Sequence, residues 1–141
     1  MVCTERNYEI SQEERQAIFT LHIEKATEML APLDLLVKNE YWGTIANRLY
    51  FALYHAVNAL LISEEHNAYE RQDVEILFFI HFIKTGLFDE DDSKLYTQLH
   101  ELRERADYNC AYEIGEEEIV PKIAPTKELI EKIKQYIESK Q

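Results

Sequence analysis

The stretch from Tyr41 to Ile62, YWGTIANRLYFALYHAVNALLI, constrains the fold more than any other part of the chain. Read as a helix, it carries Trp42, Ile45, Leu49, Leu53, Ala56 and Leu60 at three- and four-residue steps, which makes one continuous apolar face. The opposite side does not become a solvated Lys/Glu surface. It presents Asn47, Arg48, Phe51, Tyr54, His55 and Asn58, rings interleaved with uncharged and cationic polar groups. Such a helix is covered nearly all round, and a buried polar group left without a partner costs about 1–3 kcal/mol. Arg48, His55 and Asn58 are therefore expected to face other side chains, a subunit partner or a ligand.

Three Gly and three Pro among 141 residues leave little material for hairpins or long linkers, so the neighbours of this helix are expected to be helices too. Ser11 and Glu14 have capping-box spacing, and Ile18, Leu21, Met29, Leu33 and Leu36 continue a helical stripe to about Lys38. Pro32 lies inside that stripe and predicts a kink or a break. Ser63 to Gln72 is polar and aperiodic, which predicts a surface loop. A third helix follows from about Asp73 to Thr85, with Val74, Leu77, Phe78 and Phe82 inward and Gly86 as its C-terminal cap. The acidic run Asp89 to Asp92 suits the N-terminus of a fourth helix bearing Leu95, Leu99, Leu102 and Ala106. The pattern stops around Asn109 to Gly115. A last helix opens at Glu116, with Leu129, Ile130, Ile133, Tyr136 and Ile137 inward and with Pro121 and Pro125 expected to split or delay it. The expected fold is all-α, a single up-and-down bundle of four or five helices, with its core at about residues 11–139 and with residues 1–10 and 63–72 loosely ordered.

Composition removes several classes of function. With 27 acidic against 15 basic residues the net charge is −12, so the overall field repels phosphate, and DNA binding through a broad basic face is not expected. Any RNA or nucleotide contact must be local. No basic segment followed by an apolar one opens the chain, and the most apolar run, Ile76 to Ile83, is short and interrupted by His81. Cys3 and Cys110 are far apart and fit no C-x-x-C pattern. These features predict a cytoplasmic protein with reduced thiols. Helical bundles often hold metals through Glu-x-x-His pairs, but none of the five histidines has a Glu three residues before it, so neither a metal nor another cofactor is expected. No Gly-rich phosphate loop, H-E-x-x-H or G-x-S-x-G appears either.

Three segments in order, NRLYFALYHAVNALL (Asn47 to Leu61), VEILFFIHFIKTG (Val74 to Gly86) and LRERADYN (Leu102 to Asn109), resemble the signature of the HEPN domain, the higher-eukaryote and prokaryote nucleotide-binding domain. The likeness is to its bacterial and archaeal branch with an Arg-x-x-Ala-Asp-Tyr motif, and it covers roughly Ala26 to Ile137. It implies a five-helix bundle that forms homodimers. It also implies a nucleotidyltransferase partner and a role in toxin–antitoxin, defence or stress systems.

Active members of that family resemble metal-independent ribonucleases that use an Arg followed, after four to six residues, by a His. Arg103 stands at the Arg position, but Tyr108 stands where the His is expected, and counting from Arg105 reaches only Cys110 to Tyr112. A tyrosine of ordinary pKa near 10 is a poor proton shuttle at neutral pH. Arg48 and His55, seven apart, share a helical face and also satisfy the spacing. Two classes of function follow. In one, a groove lined by Arg48, His55, Arg103, Asp107 and Tyr108, with Tyr54 and Asn58 beside it, binds a nucleotide or docks the nucleotidyltransferase. In the other, Arg103 and Tyr108, with Arg48 and His55, cleave RNA. Tyr108 is in addition a candidate acceptor of adenylate from the partner enzyme. Against both stands a structural alternative, in which Arg103 pairs with Asp107 along its own helix and Tyr50, Phe51 and Tyr54 are packing or dimer residues.

Overall fold

The computed structural model describes residues 10–66, 68, 70–108 and 113–141. Cys3, Cys110 and the 109–112 part of the expected break lie outside them. Helix α1 spans Gln12–Leu30, α2 Leu33–Lys38, α3 Trp42–Ser63, α4 Arg71–Phe78, α5 Glu90–Tyr108 and α6 Glu116–Ser139. Among the described residues there is no strand, and the helices pack as the expected all-α bundle.

Helix α3 is the axis of the molecule. Twelve of its residues are buried, and α1, α4, α5 and α6 pack around it. Ile45, Leu49, Leu53, Ala56 and Leu60 have no exposed surface, as the periodicity requires. Ala46, Ala52 and Ala59 are equally buried; small side chains here let neighbouring helices approach closely. At its N-terminal end a methyl group on Gly43 would meet the Ala106 methyl at 3.7 Å, so α3 and α5 lie close together where the latter carries Arg103 to Tyr108.

Caps define the ends. The Ser11 hydroxyl accepts from the Glu14 amide at 3.0 Å, and α1 stops before Pro32, whose missing N–H cannot continue it. Both α2 and α3 terminate in the same motif. A residue with positive φ, Glu40 (59°) or Glu65 (67°), turns the chain while Tyr41 N–H bonds Leu36 C=O (3.0 Å) and His66 N–H bonds Leu61 C=O (2.8 Å).

Four expectations need correction. Leu21 is 63 % exposed; the inner face of α1 is instead Arg15, Phe19, His22 and Ala26, so its register is carried partly by polar residues that a search for apolar periodicity passes over. Arg15 is buried because its guanidinium donates to Ile62 C=O at 3.3 Å, occupying the end of α3 where a cation meets the negative pole of the helix. The loop after α3 is shorter than the polar composition suggests, because Glu70 and Asp73 form a reciprocal capping box that starts α4 at Arg71. This α4 gives way to a π-helical turn over Phe79–Ile83, closed by Lys84 N–H on Phe79 C=O at 2.9 Å. The added residue rotates the chain so that Phe82 and Ile83 are buried together, while Phe79 and Ile80 remain half exposed; Gly86 then reverses the chain at φ 81°. Finally, α6 runs unbroken through Pro121 and Pro125. Both prolines lie on the exposed side, where the freed carbonyls of Glu117 and Pro121 meet water, and the burial of Ile119, Leu129, Ile130, Ile133 and Ile137 outweighs the two lost bonds.

Candidate functional site

The residues singled out from the sequence fall in two clusters, on either side of the outer strip of α3. On the α5 side, Arg103 is only 7 % exposed. Its Nε lies 3.0 Å from Asp107 Oδ2, an ion pair along the helix, but without the alignment of a hydrogen bond. Asn47 of α3 donates to the same carboxylate oxygen at 3.2 Å, and another guanidinium nitrogen of Arg103 donates to the Tyr108 hydroxyl at 3.3 Å. The cation also lies over three rings, Phe51 (5.2 Å), Tyr108 (5.3 Å) and Tyr50 (5.5 Å). Arg103, Asp107 and Tyr108 are thus brought together, and the Tyr108 ring, 68 % exposed, stands at the rim.

On the α1 side, Arg48 points to Met29 Sδ at 3.6 Å. His55 meets His22 at 3.0 Å between their Nδ1 atoms, and Asn58 Nδ2 lies 3.4 Å from His22 Nε2. With the amide of Asn58 donating, His22 must carry its proton on Nδ1 and donate it to His55, so both rings are neutral in this chain of bonds. Burial, and next the proximity of His22 and Lys25, lower the His55 pKa to about 4; burial lowers His22 as well. Tyr54 bridges the clusters, its ring 6.1 Å from Phe51 and 5.0 Å from His55. Arg48 and His55 therefore make their contacts with α1, while Arg103 makes its own with Asp107, Tyr108 and the rings beside it.

Around Arg103 the fold assembles groups that the sequence reading did not combine. A cleft of about 440 Å³ is lined by Tyr50, Arg71, Gln72, His100, Arg103 and Glu104. Arg71, at the start of α4, lies 5.2 Å over the Phe51 ring, the same distance as Arg103, so two guanidiniums meet at this ring. His100 Nδ1 is 3.0 Å from Glu75 Oε1 and its Nε2 is 3.3 Å from Glu104 Oε1, while Thr97 donates to the other Glu75 oxygen at 3.0 Å. Burial raises the Tyr50 and Tyr54 pKa values, against the opposing pull of Arg71, so both phenols are kept as hydrogen-bond donors. One sequence signal pointed here: His100, Arg103 and Asp107 follow one another at three and four residues, a single stripe of α5. The arrival of Arg71 and Glu75 from α4 has no counterpart in local sequence. Among the described residues no three His, Cys, Asp or Glu side chains are grouped so as to hold a metal ion, and no helix is long and apolar enough to cross a membrane.

An all-helical bundle whose central helix and Arg-x-x-Ala-Asp-Tyr segment meet in one cleft defines the class, and comparison with known proteins agrees. The HEPN domain family matches residues 19–138, and the chain belongs to it. It is 30 % identical over 125 residues to a UPF0332 protein of Thermotoga maritima, covering 89 % of this chain and 95 % of that one. Two proteins of Methanocaldococcus jannaschii, each named a putative toxin, are 30 % identical over 118 residues (84 % of this chain, 80 % of the relative) and 31 % identical over 97 residues (69 % of each).

Proposed function

We propose that the protein is a toxin–antitoxin-type HEPN protein that binds a ribonucleotide, free or within single-stranded RNA, in the cleft between α3, α4 and α5, and that a partner nucleotidyltransferase acts on Tyr108. The observation that carries this reading is the pair of guanidiniums, Arg71 and Arg103, that line one cleft and meet at the Phe51 ring near an exposed phenol, in a protein of net charge −12. Two guanidiniums lining one cleft offer charge-assisted hydrogen bonds to a phosphate, a local substitute for a basic face. The names of the M. jannaschii relatives support the toxin role, and the family likeness supports both the partner enzyme and a homodimer. At Tyr108 the phenol oxygen would attack the α-phosphorus of ATP; the new O–P bond replaces the bond to pyrophosphate, and the phenol proton passes to solvent. Arg103, already bonded to that oxygen, would neutralise the charge that develops.

The test is equilibrium binding of a short labelled RNA and of ATP, together with mass spectrometry of the chain after incubation with its nucleotidyltransferase and ATP. Arg71→Ala, at an exposed position, and Arg103→Lys should each weaken binding about tenfold, the loss of one charge-assisted contact. A mass gain of one adenylate should localise to the peptide containing Tyr108 and vanish in Tyr108→Phe. Binding untouched by both arginine variants would refute the cleft, and adenylate on another residue would refute the role of Tyr108.

RNA cleavage is a second reading, and one observation favours it: a histidine, His100, in the same cleft as the two arginines. Cleavage through Arg48 and His55 draws no such support, because those groups are bonded to Met29 and His22.

A further inference from the structure

We infer that the cleft between α3, α4 and α5 selects guanine, with the Glu104 carboxylate reading the base while Arg71 and Arg103 hold the phosphate. The inference rests on the proposed binding of a ribonucleotide there and names the base that the site takes. Glu104 is its specificity-determining residue.

The side chains that line the cleft divide by charge. Arg71 and Arg103 meet at the Phe51 ring and bring donors for an anion. Glu104 lines the same cleft, yet among the described residues it pairs with neither guanidinium: Arg103 takes Asp107 instead, at 3.0 Å. Glu104 is also held in place. Its Oε1 lies 3.3 Å from His100 Nε2, the other ring nitrogen of His100 lies 3.0 Å from Glu75 Oε1, and Thr97 donates to the second Glu75 oxygen. An imidazole with hydrogens on both nitrogens donates to both carboxylates, so this chain of contacts ties the head of Glu104 to α4 and keeps it off the arginines. Its Oε2 has no partner among the described residues, and the side chain is 54 % exposed, open to a ligand. Gln72 adds an acceptor, because its Nε2 donates to Glu70 at 2.8 Å and leaves the amide oxygen uncommitted.

An ionised carboxylate accepts hydrogen bonds and never donates. The four bases differ in what they offer it. Guanine presents two adjacent donors, N1–H and the N2 amino group, that match the two carboxylate oxygens. Adenine and cytosine each place one amino group beside an acceptor nitrogen, and uracil places its single N3–H between two carbonyl oxygens, so one carboxylate oxygen meets an acceptor and is repelled. The cleft, about 440 Å³, falls within the range of about 300–1,000 Å³ common to small-ligand pockets and has room for one nucleotide.

The experiment measures equilibrium binding of the purified full chain to labelled six-residue oligouridines that carry one guanosine, one inosine or one adenosine at the same position. Inosine keeps N1–H and lacks the N2 amino group. Wild type should bind the guanosine strand about tenfold more tightly than the adenosine strand, as a partly exposed bidentate pair does, with inosine between them. Glu104→Gln should bring the guanosine and adenosine affinities within about twofold of each other, the bidentate match being lost. A carboxylate that acted only through its charge would shift both strands alike, so the ratio is the readout. Unlabelled GMP should displace the guanosine strand at a lower concentration than AMP where the ligand is a free nucleotide, and neither should displace it where the ligand is a strand; AMP displacing better than GMP overturns the inference. Equal affinity for the three strands in wild type, inosine equal to guanosine, or a guanosine preference that survives Glu104→Gln also overturns it, and if Arg71→Ala still weakens that binding the cleft reading stands. Should Glu104→Gln not fold, as read by circular dichroism, the wild-type order decides alone: guanosine above inosine above adenosine supports the carboxylate, and any other order sinks it. No binding of any strand refutes both the inference and the reading beneath it.

Discussion

Tyr96 has no exposed surface, and its hydroxyl has no hydrogen-bond partner among the described residues; burial raises its pKa far above the ordinary phenol value. An orphaned hydroxyl in a core is a liability, so Tyr96→Phe should leave stability unchanged or raise it by about 1 kcal/mol, read from the urea midpoint. A clear loss would show that the hydroxyl is bonded. The His22–His55 pair behaves differently. Its folded state keeps His55 neutral down to about pH 4, whereas a free imidazole takes up its proton near pH 6.5. Between those values the unfolded chain binds more protons, so stability must fall as pH drops through that window and level off below it. His55→Gln should flatten this part of the stability profile, seen as a smaller fall in Tm between pH 7 and pH 5 than in wild type. An unchanged fall would place the acid sensitivity elsewhere.

The helix ends show what each segment needed from its own residues. Ser11, Gly86 and the acidic start of α5 act where local chemistry puts them, because capping is a matter of a few adjacent amides. Glu40 is an exception, since a side chain at φ 59° crowds the backbone and glycine would not. Glu40→Gly should therefore stabilise the protein by about 1 kcal/mol, measured by thermal or urea unfolding; a destabilised variant would mean that the left-handed turn is not under strain. The π turn in the third apolar run and the unbroken course of α6 were not legible for the opposite reason. Each trades backbone bonds for burial against α3, a term that depends on the neighbour and not on the segment.

Charge acts over the whole chain. With a net charge of −12, long-range attraction for nucleic acid is absent, and under the proposed function affinity would come from Arg71 and Arg103 at short range. Two phosphate contacts to a single strand give a slope of about −1.4 in a plot of log affinity against log salt concentration. Titrations between low and moderate salt should return that shallow value; a slope several times steeper would reveal a basic surface other than this cleft. The same balance explains why the site was only half visible beforehand. Composition said that any contact with phosphate is local, but not which of the arginines makes it.

Periodicity and capping residues determined the helices, the central place of the Tyr41–Ile62 stretch and the stripe of α5 that carries His100, Arg103 and Asp107, because these depend on neighbours within a turn or two of the chain. Only the tertiary structure decided that Arg48 and His55 join α1, and that Arg71, Glu75 and His100 join Arg103. Contacts between helices are set by how the buried faces of α1, α4 and α5 dock on α3, and with Arg15 and His22 lying within one of those faces, apolar spacing alone could not set the register.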